Sequence, residues 1–292
     1  MATELLKIYG DRKSQPTRAI LIFCKANGIQ FEEVKIRLFT SDVQTPEYQA
    51  IHPLKKVPAI ADGDFTLFES HAILTYLACW YQVPDHWYPA DLRKRAKVQS
   101  VLDWHQTTLR YGSTRYLINT VLAPTFGKTP NPQVAAEYEQ ILVQSLSTVE
   151  TLWLKGDAKF LLGNDQPSVA DLALVCEIMQ LHRVNSSYKL QVLDEKDRAR
   201  ILSPYKKVQE WIEATKASTQ PHFDDVHGIL YKAKIKFQKQ REIATLQSKI
   251  NRDPQTTLTD EAAIAAPAIH GGKRTLSKGN KTPAAIGIPI ML

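Results

Sequence analysis

The sequence predicts an α/β unit in about the first 83 residues joined to an all-helical unit that begins near residue 91. Three observations carry this. Over the first 80 residues, short apolar runs of strand character alternate with stretches of helical spacing. After Val83 the composition shifts: Pro84, Pro89 and the pair Trp87-Tyr88 mark residues 84–90 as a linker. From Asp91 to about Phe223, helical periodicity persists and no strand pattern stands out. A chain of 292 residues is long enough for two domains of ordinary size.

Leu5 to Tyr9 is a short apolar run suited to a buried strand. Asp11 to Ser14 is polar, and Pro16 suits the first turn of a helix. That helix carries Ala19, Ile20, Phe23 and Cys24 on one apolar face and stops near Gly28. Phe31 to Ile36 alternates as a half-buried strand, and a less regular stretch is expected from there to Pro53. Pro58 to Ala61 and Thr66 to Phe68 read as two strands around Asp62-Gly63-Asp64. A helix with Ile73, Leu74, Tyr76 and Leu77 closes the unit. The order β-α-β, connection, β-β-α resembles the thioredoxin-like unit, an order that other small domains also share.

In the second domain, 91–232, helical spacing is clearest near 92–121, 133–154, 168–181 and 204–216. Ser168 and Asp171 stand as a capping box before an apolar run. Tyr111, Tyr116, Trp211 and Phe223 belong either to the core or to the substrate pocket, and the core is the favoured expectation. Residues 233–250 mix Lys, Arg and Gln with Ile235, Phe237, Ile243 and Leu246, as a basic amphipathic helix would. Residues 251–292 contain no aromatic side chain and too little apolar pattern for a core, so disorder is expected there.

Hydrophobic residues make up 43% of the chain and charged residues 23%, the balance of an ordinary globular protein. The net charge of +7 is not spread evenly. From Lys232 onward there are 11 basic and 4 acidic residues, whereas residues 1–231 hold 26 of each sign. Nucleic acid is therefore not an expected partner of the folded part. A tail bound to phosphates or acting as a nuclear import signal stays open, although no segment packs Lys and Arg as densely as a basic 5–8-mer. No apolar run approaches the length of a membrane helix, and Met1 to Lys7 lacks the apolar core of a secretory leader. Cys24, Cys79 and Cys176 fit no zinc or redox spacing, so neither a metal nor a disulfide is expected, and the setting is read as cytoplasmic.

Three places carry candidate chemistry. Ser14 stands between a strand and a helix, where it is a helix cap or a hydroxyl that donates to a bound thiolate. A thiol held there would drop below its free value of about 8.5 and become a better nucleophile. Glu69 and Ser70 stand where a strand gives way to a helix, as a cap or as a grip on an amino acid's ammonium and carboxylate groups. Val57-Pro58 opens a strand, and if the bond is cis, Val57 can exchange amide hydrogen bonds with a peptide.

These places coincide with a known family. Ser14-Gln15-Pro16-x-Arg18-Ala19, Pro53 to Ala59 and Asp62 to Ser70 resemble the theta-class glutathione transferases. His86-Trp87-Tyr88-Pro89, Trp104-x-x-Thr107-Thr108-Leu109-Arg110 and Pro167 to Leu172 extend the resemblance. Plant members are most similar, notably along Ser145 to Leu162 and Pro221 to Phe237, and the resemblance covers about residues 4 to 250. It implies the glutathione transferase fold, a homodimer, and no cofactor beyond glutathione as co-substrate. The reaction would join the glutathione thiolate to a small hydrophobic electrophile or reduce organic hydroperoxides. Ser14 falls on the catalytic serine. Gln15, Lys56, Val57, Glu69 and Ser70 fall on glutathione contacts, and Arg110 on an arginine that approaches the active site, unless it is a solvated helix charge.

Three departures accompany the resemblance. Val43 stands where the family often has His or Gln for the glycyl carboxylate, with Gln44 beside it as a substitute. About nine residues, His182 to Leu190, are inserted relative to plant members. Ser248-Lys249-Ile250 resembles a peroxisomal address, but 42 residues follow it, which bars recognition at a free C-terminus. The first two departures motivate an alternative expectation, a binding or scaffold protein on the same fold with weak or lost activity.

Overall fold

The computed structural model describes residues 4–182 and 195–231. β1 (Leu6–Gly10) runs parallel to β2 (Phe31–Lys35) and antiparallel to β3 (Ala59–Asp62), which pairs with β4 (Phe65–Phe68). The sheet order is β2-β1-β3-β4. A parallel pair needs a crossover, and α1 (Gln15–Ala26) supplies it between β1 and β2. β3 and β4 need only a tight turn. Gly63 takes φ +63 there, a conformation free of cost only without a Cβ.

α1 differs from the single apolar face its spacing predicts. Every residue from Ala19 to Cys24 is buried. The reason is tertiary: α1 lies between the sheet and α7 (Val169–Ile178), all ten of whose residues are buried. A helix covered on both sides is apolar all round. The stretch expected to be irregular before Pro53 holds a 3-10 turn, Ser41–Gln44, and the short helix α2 (Pro46–Ile51). Thr45 caps α2 by accepting from the Tyr48 N–H at 3.3 Å, with Pro46 in the first turn. α3 (Ser70–Trp80) packs Ile73, Leu74 and Leu77 inward.

Among the described residues, the rest forms helices and connecting loops without a strand. α4 (Leu92–Trp104), a π turn at His105–Leu109, α5 (Arg110–Leu117) and a second π turn at Ile118–Leu122 form one long run. α6 (Pro132–Thr148) ends in a third π turn, Val149–Trp153. After α7 come α8 (Glu195–Leu202), which lies outside the stretches of clear helical spacing, α9 (Lys206–Ser218), and a helical segment at 222–231. The residues between α3 and α4 are anchored: Trp87 is buried edge-on against Phe23, and His86 Nδ1 lies 2.6 Å from the Pro167 carbonyl.

Asp171 accepts from the Ser168 N–H and hydroxyl, both at 2.7 Å, as the capping spacing predicts. It also accepts from the Leu161 N–H at 2.9 Å and from Trp211 Nε1 at 2.7 Å, which ties α7 to α9. Burial pushes its carboxyl upward, and these four donors oppose that shift.

Tyr116, Trp211 and Phe223 are core residues. Tyr111 is not: it is 39% exposed. Its ring lies edge-on against Tyr138 of α6, with the Arg115 guanidinium 5.4 Å from the ring centre, so it runs along α6 and not beneath it. All three cysteines are free thiols, Cys24 and Cys176 buried and Cys79 exposed. Among the described residues, no helix is long and apolar enough to cross a membrane. The inserted segment beyond His182, the basic segment 233–250 and residues 251–292 lie outside the described residues.

Candidate active site

Register brings the candidate places to one edge of the sheet. Tyr9 pairs with Ala59, and Ala59 with Phe68. Gly10 pairs with Lys35 on the other side. The loops that leave these ends carry Ser14, Val57-Pro58, Glu69-Ser70, and the turn with Val43 and Gln44. Gly10 belongs here for a packing reason. A Cβ on it would collide with the Thr17 side chain, so glycine lets the start of α1 close onto the strand.

Ser14 caps α1. Its N–H donates to the Asp11 carbonyl at 2.7 Å, and its hydroxyl oxygen receives the Thr17 N–H at a long 3.5 Å. The residue is buried, and among the described residues its hydroxyl hydrogen has no acceptor. Asp11 holds the loop, taking the Lys13 N–H at 2.9 Å and the Leu38 N–H at 3.0 Å. Arg18, fully buried, donates to the carbonyls of Arg12 and Lys13 at 3.0 and 3.2 Å. It also donates to the Cys176 carbonyl at 3.0 Å and to Gln180 Oε1 at 2.8 Å. The segment leading into Ser14 is thereby clamped to the helical part. Burial pulls the Arg18 guanidinium downward.

Val57-Pro58 is a cis peptide. The Lys56 carbonyl accepts from the Tyr48 hydroxyl at 2.5 Å, while the Lys56 side chain is exposed. Glu69 precedes α3 at φ +71 and ψ 111 and makes no side-chain cap. A non-glycine residue at such a φ is strained, a feature that clusters at ligand clamps. Ser70 is buried at the first position of α3. Val43 is half-buried and Gln44 exposed.

Gln15, which follows Ser14, is bonded to the helical part. Its amide donates to Glu177 Oε1 at 3.0 Å and to Thr114 Oγ1 at 3.3 Å. Arg110 is not a solvated charge: its Nη1 lies 3.0 Å from Glu177 Oε2, with its side chain 28% exposed. Glu177, fully buried, also receives the Ser113 hydroxyl and, at 3.2 Å, that of Thr114. Burial opposes its charge, but the Arg110 guanidinium and the His105 and Ser113 donors overcome this and bring its carboxyl down to about 2. His105 Nε2 sits 3.5 Å from the same carboxylate, and His71 Nε2 lies 3.0 Å from His105 Nδ1. Burial pulls both rings downward. His105 and Arg110 reinforce this at His71, which falls to about 3.

Sequence reasoning missed Glu177, its histidine partners and the clamping role of Arg18. One signal was present. Glu177 is the lone charge after Asp171 in the otherwise apolar run Leu172 to Met179, and a carboxylate in a buried helix requires partners.

The family model for the glutathione S-transferase N-terminal domain matches residues 4–79. The model for the C-terminal domain matches residues 132–214. Glutathione S-transferase T1 of Arabidopsis thaliana is 59% identical over 251 residues, which is 84% of this chain and 99% of that one. The chain belongs to the glutathione S-transferase family. It is a theta-class transferase of the plant type. Arabidopsis glutathione S-transferase T2 is also 59% identical over 251 residues, but the match spans only 41% of that longer protein. Human glutathione transferase theta-2, solved in complex with glutathione and an unknown ligand, superposes with a TM-score of 0.68 at 31% identity, over 81% of this chain and 91% of that one.

Proposed function

We propose that this glutathione transferase binds glutathione along the sheet edge described above, and that Ser14 activates its thiol. One observation carries the reading: a buried serine at the N-terminus of α1 whose hydroxyl hydrogen has no acceptor among the described residues. The helix end supplies positive potential, and the hydroxyl donates to the sulfur as its proton leaves. The thiolate then attacks the electrophile, forms the carbon–sulfur bond, and displaces a leaving group or opens an epoxide ring. With a hydroperoxide it attacks oxygen. The alcohol departs, and a second glutathione reduces the sulfenic product to disulfide and water.

In this reading Lys56, Val57, Glu69 and Ser70 hold the tripeptide, which is supported by their loops sharing the edge with Ser14. Gln15 supports the site from behind, since its amide is engaged with Glu177. Val43 leaves the glycyl end to Lys56 and Gln44. Arg110 borders the electrophile side. No cofactor enters these steps.

We further propose a homodimer. Phe65, Tyr76 and Trp80 form a ladder with ring centres 4.9 and 6.0 Å apart, and Phe65 and Trp80 stand 43% and 66% exposed. Three free thiols suit a cytoplasmic setting.

Conjugation measured on a panel of alkyl halides, epoxides and hydroperoxides tests the reading. Ser14→Ala is expected to lose about a hundredfold in turnover, the usual cost of removing one donor to a developing anion. Unchanged turnover in Ser14→Ala contradicts it, and so does glutathione binding without turnover on any of the three classes.

A further inference from the structure

We propose that Glu177 is a positioning residue for the transfer reaction, a single buried carboxylate that fixes the side chains flanking both halves of the glutathione site. The inference rests on the reading that glutathione lies beside Ser14 and Ser70. On one half, Glu177 Oε1 holds the amide of Gln15, the residue after Ser14, at 3.0 Å. On the other, Oε2 faces His105 at 3.5 Å, and His105 meets His71, the residue after Ser70, at 3.0 Å. Arg110 completes the set at 3.0 Å. One carboxylate of α7 thus reaches the first turns of α1 and α3.

The π turn makes this convergence possible. His105 and Arg110 are five residues apart, with the Arg110 N–H bonded to the His105 carbonyl. In an α-helix that spacing would separate the side chains by about 140°. The wider turn brings both onto Oε2, and a single-turn π bulge of this kind often marks a functional site. Ser113 and Thr114 follow Arg110 at three and four positions, on the same face, and close around Oε1.

The histidine pair extends this contact toward α3. His105 Nε2 faces Oε2 at 3.5 Å, outside hydrogen-bonding geometry, and a single hydrogen bond of 3.0 Å joins His105 Nδ1 to His71 Nε2.

The test uses the full chain and compares Glu177→Gln, Gln15→Ala, the double variant and Ser14→Ala. Glu177→Gln keeps the shape and removes the charge. It is expected to raise KM for glutathione and lower kcat/KM about tenfold to a hundredfold, the scale of a site displaced by about 1 Å. A merely structural role would reduce the folded fraction and leave KM for glutathione unchanged. The effects of Glu177→Gln and Gln15→Ala are expected to overlap, with the double variant no slower than Glu177→Gln within about twofold. Should Glu177→Gln fail to fold, Glu177→Asp takes its place in the cycle, retaining the charge and retracting it by one methylene. An unchanged glutathione KM, or effects that multiply as independent ones, would overturn the inference. Should Ser14→Ala lose activity while Glu177 variants do not, this inference alone fails. Should Ser14→Ala keep it, the underlying reading fails.

Discussion

Ser14 and Glu177 differ in how far each was legible from sequence. Ser14 sits where cap and catalyst require the same geometry, so a local pattern of strand, polar turn and Pro16 suffices to single it out. Glu177 acquires its meaning from Gln15 and Arg110, which lie 162 and 67 positions away along the chain. No local spacing encodes those pairings. The same carboxylate has a consequence for acid stability. Its donors hold it at about 2, below its ordinary 4.5, in spite of burial. A lowered folded value means that the stabilisation is complete above 4.5 and is lost as the pH falls toward 2. Urea midpoints of the wild type are therefore expected to fall more steeply across that window than those of Glu177→Gln. Parallel curves would show that Glu177 keeps an ordinary pKa.

Among the elements, those with a strong period, a tight turn or a clear cap were legible: β1, α1, the β3–β4 hairpin, α3 and α7. α2 was not, because six residues give no period to read. Its signal was instead Thr45-Pro46-Glu47, a cap, a first-turn proline and an early acid. The burial of α1 on all sides was hidden for another reason, since its second cover, α7, comes more than 140 residues later. Helix contacts also explain a glycine that pattern alone does not. A Cβ on Gly112 would stand 2.8 Å from the Leu142 backbone nitrogen and 3.0 Å from Ile141 Cγ2. Backbone cannot yield as a flexible side chain can, so Gly112→Ala forces α5 and α6 apart. The expected loss is about 1–3 kcal/mol in chemical denaturation, typical of overpacking. A variant as stable as wild type would mean that the two helices separate freely.

For the whole molecule, the fold class was legible because element order and helical periodicity are global features that survive errors at single boundaries. The location of charge was equally plain: residues 1–231 carry 26 charges of each sign, and the basic excess lies in the residues from Lys232 onward. The aromatic ladder of Phe65, Tyr76 and Trp80 was not legible, since exposure depends on which faces the fold leaves open. If that ladder is the dimer face, Trp80→Glu shifts sedimentation to the monomer, and an unshifted dimer would place the interface elsewhere. The ionisation of the bound glutathione sulfur decides whether Ser14 is the activating group. Ultraviolet titration of the thiolate in the enzyme–glutathione complex measures it without reference to any electrophile. The wild type is expected to ionise well below the free thiol value of about 8.5 and Ser14→Ala close to it. The same midpoint in both proteins would remove Ser14 from the activation of the thiol.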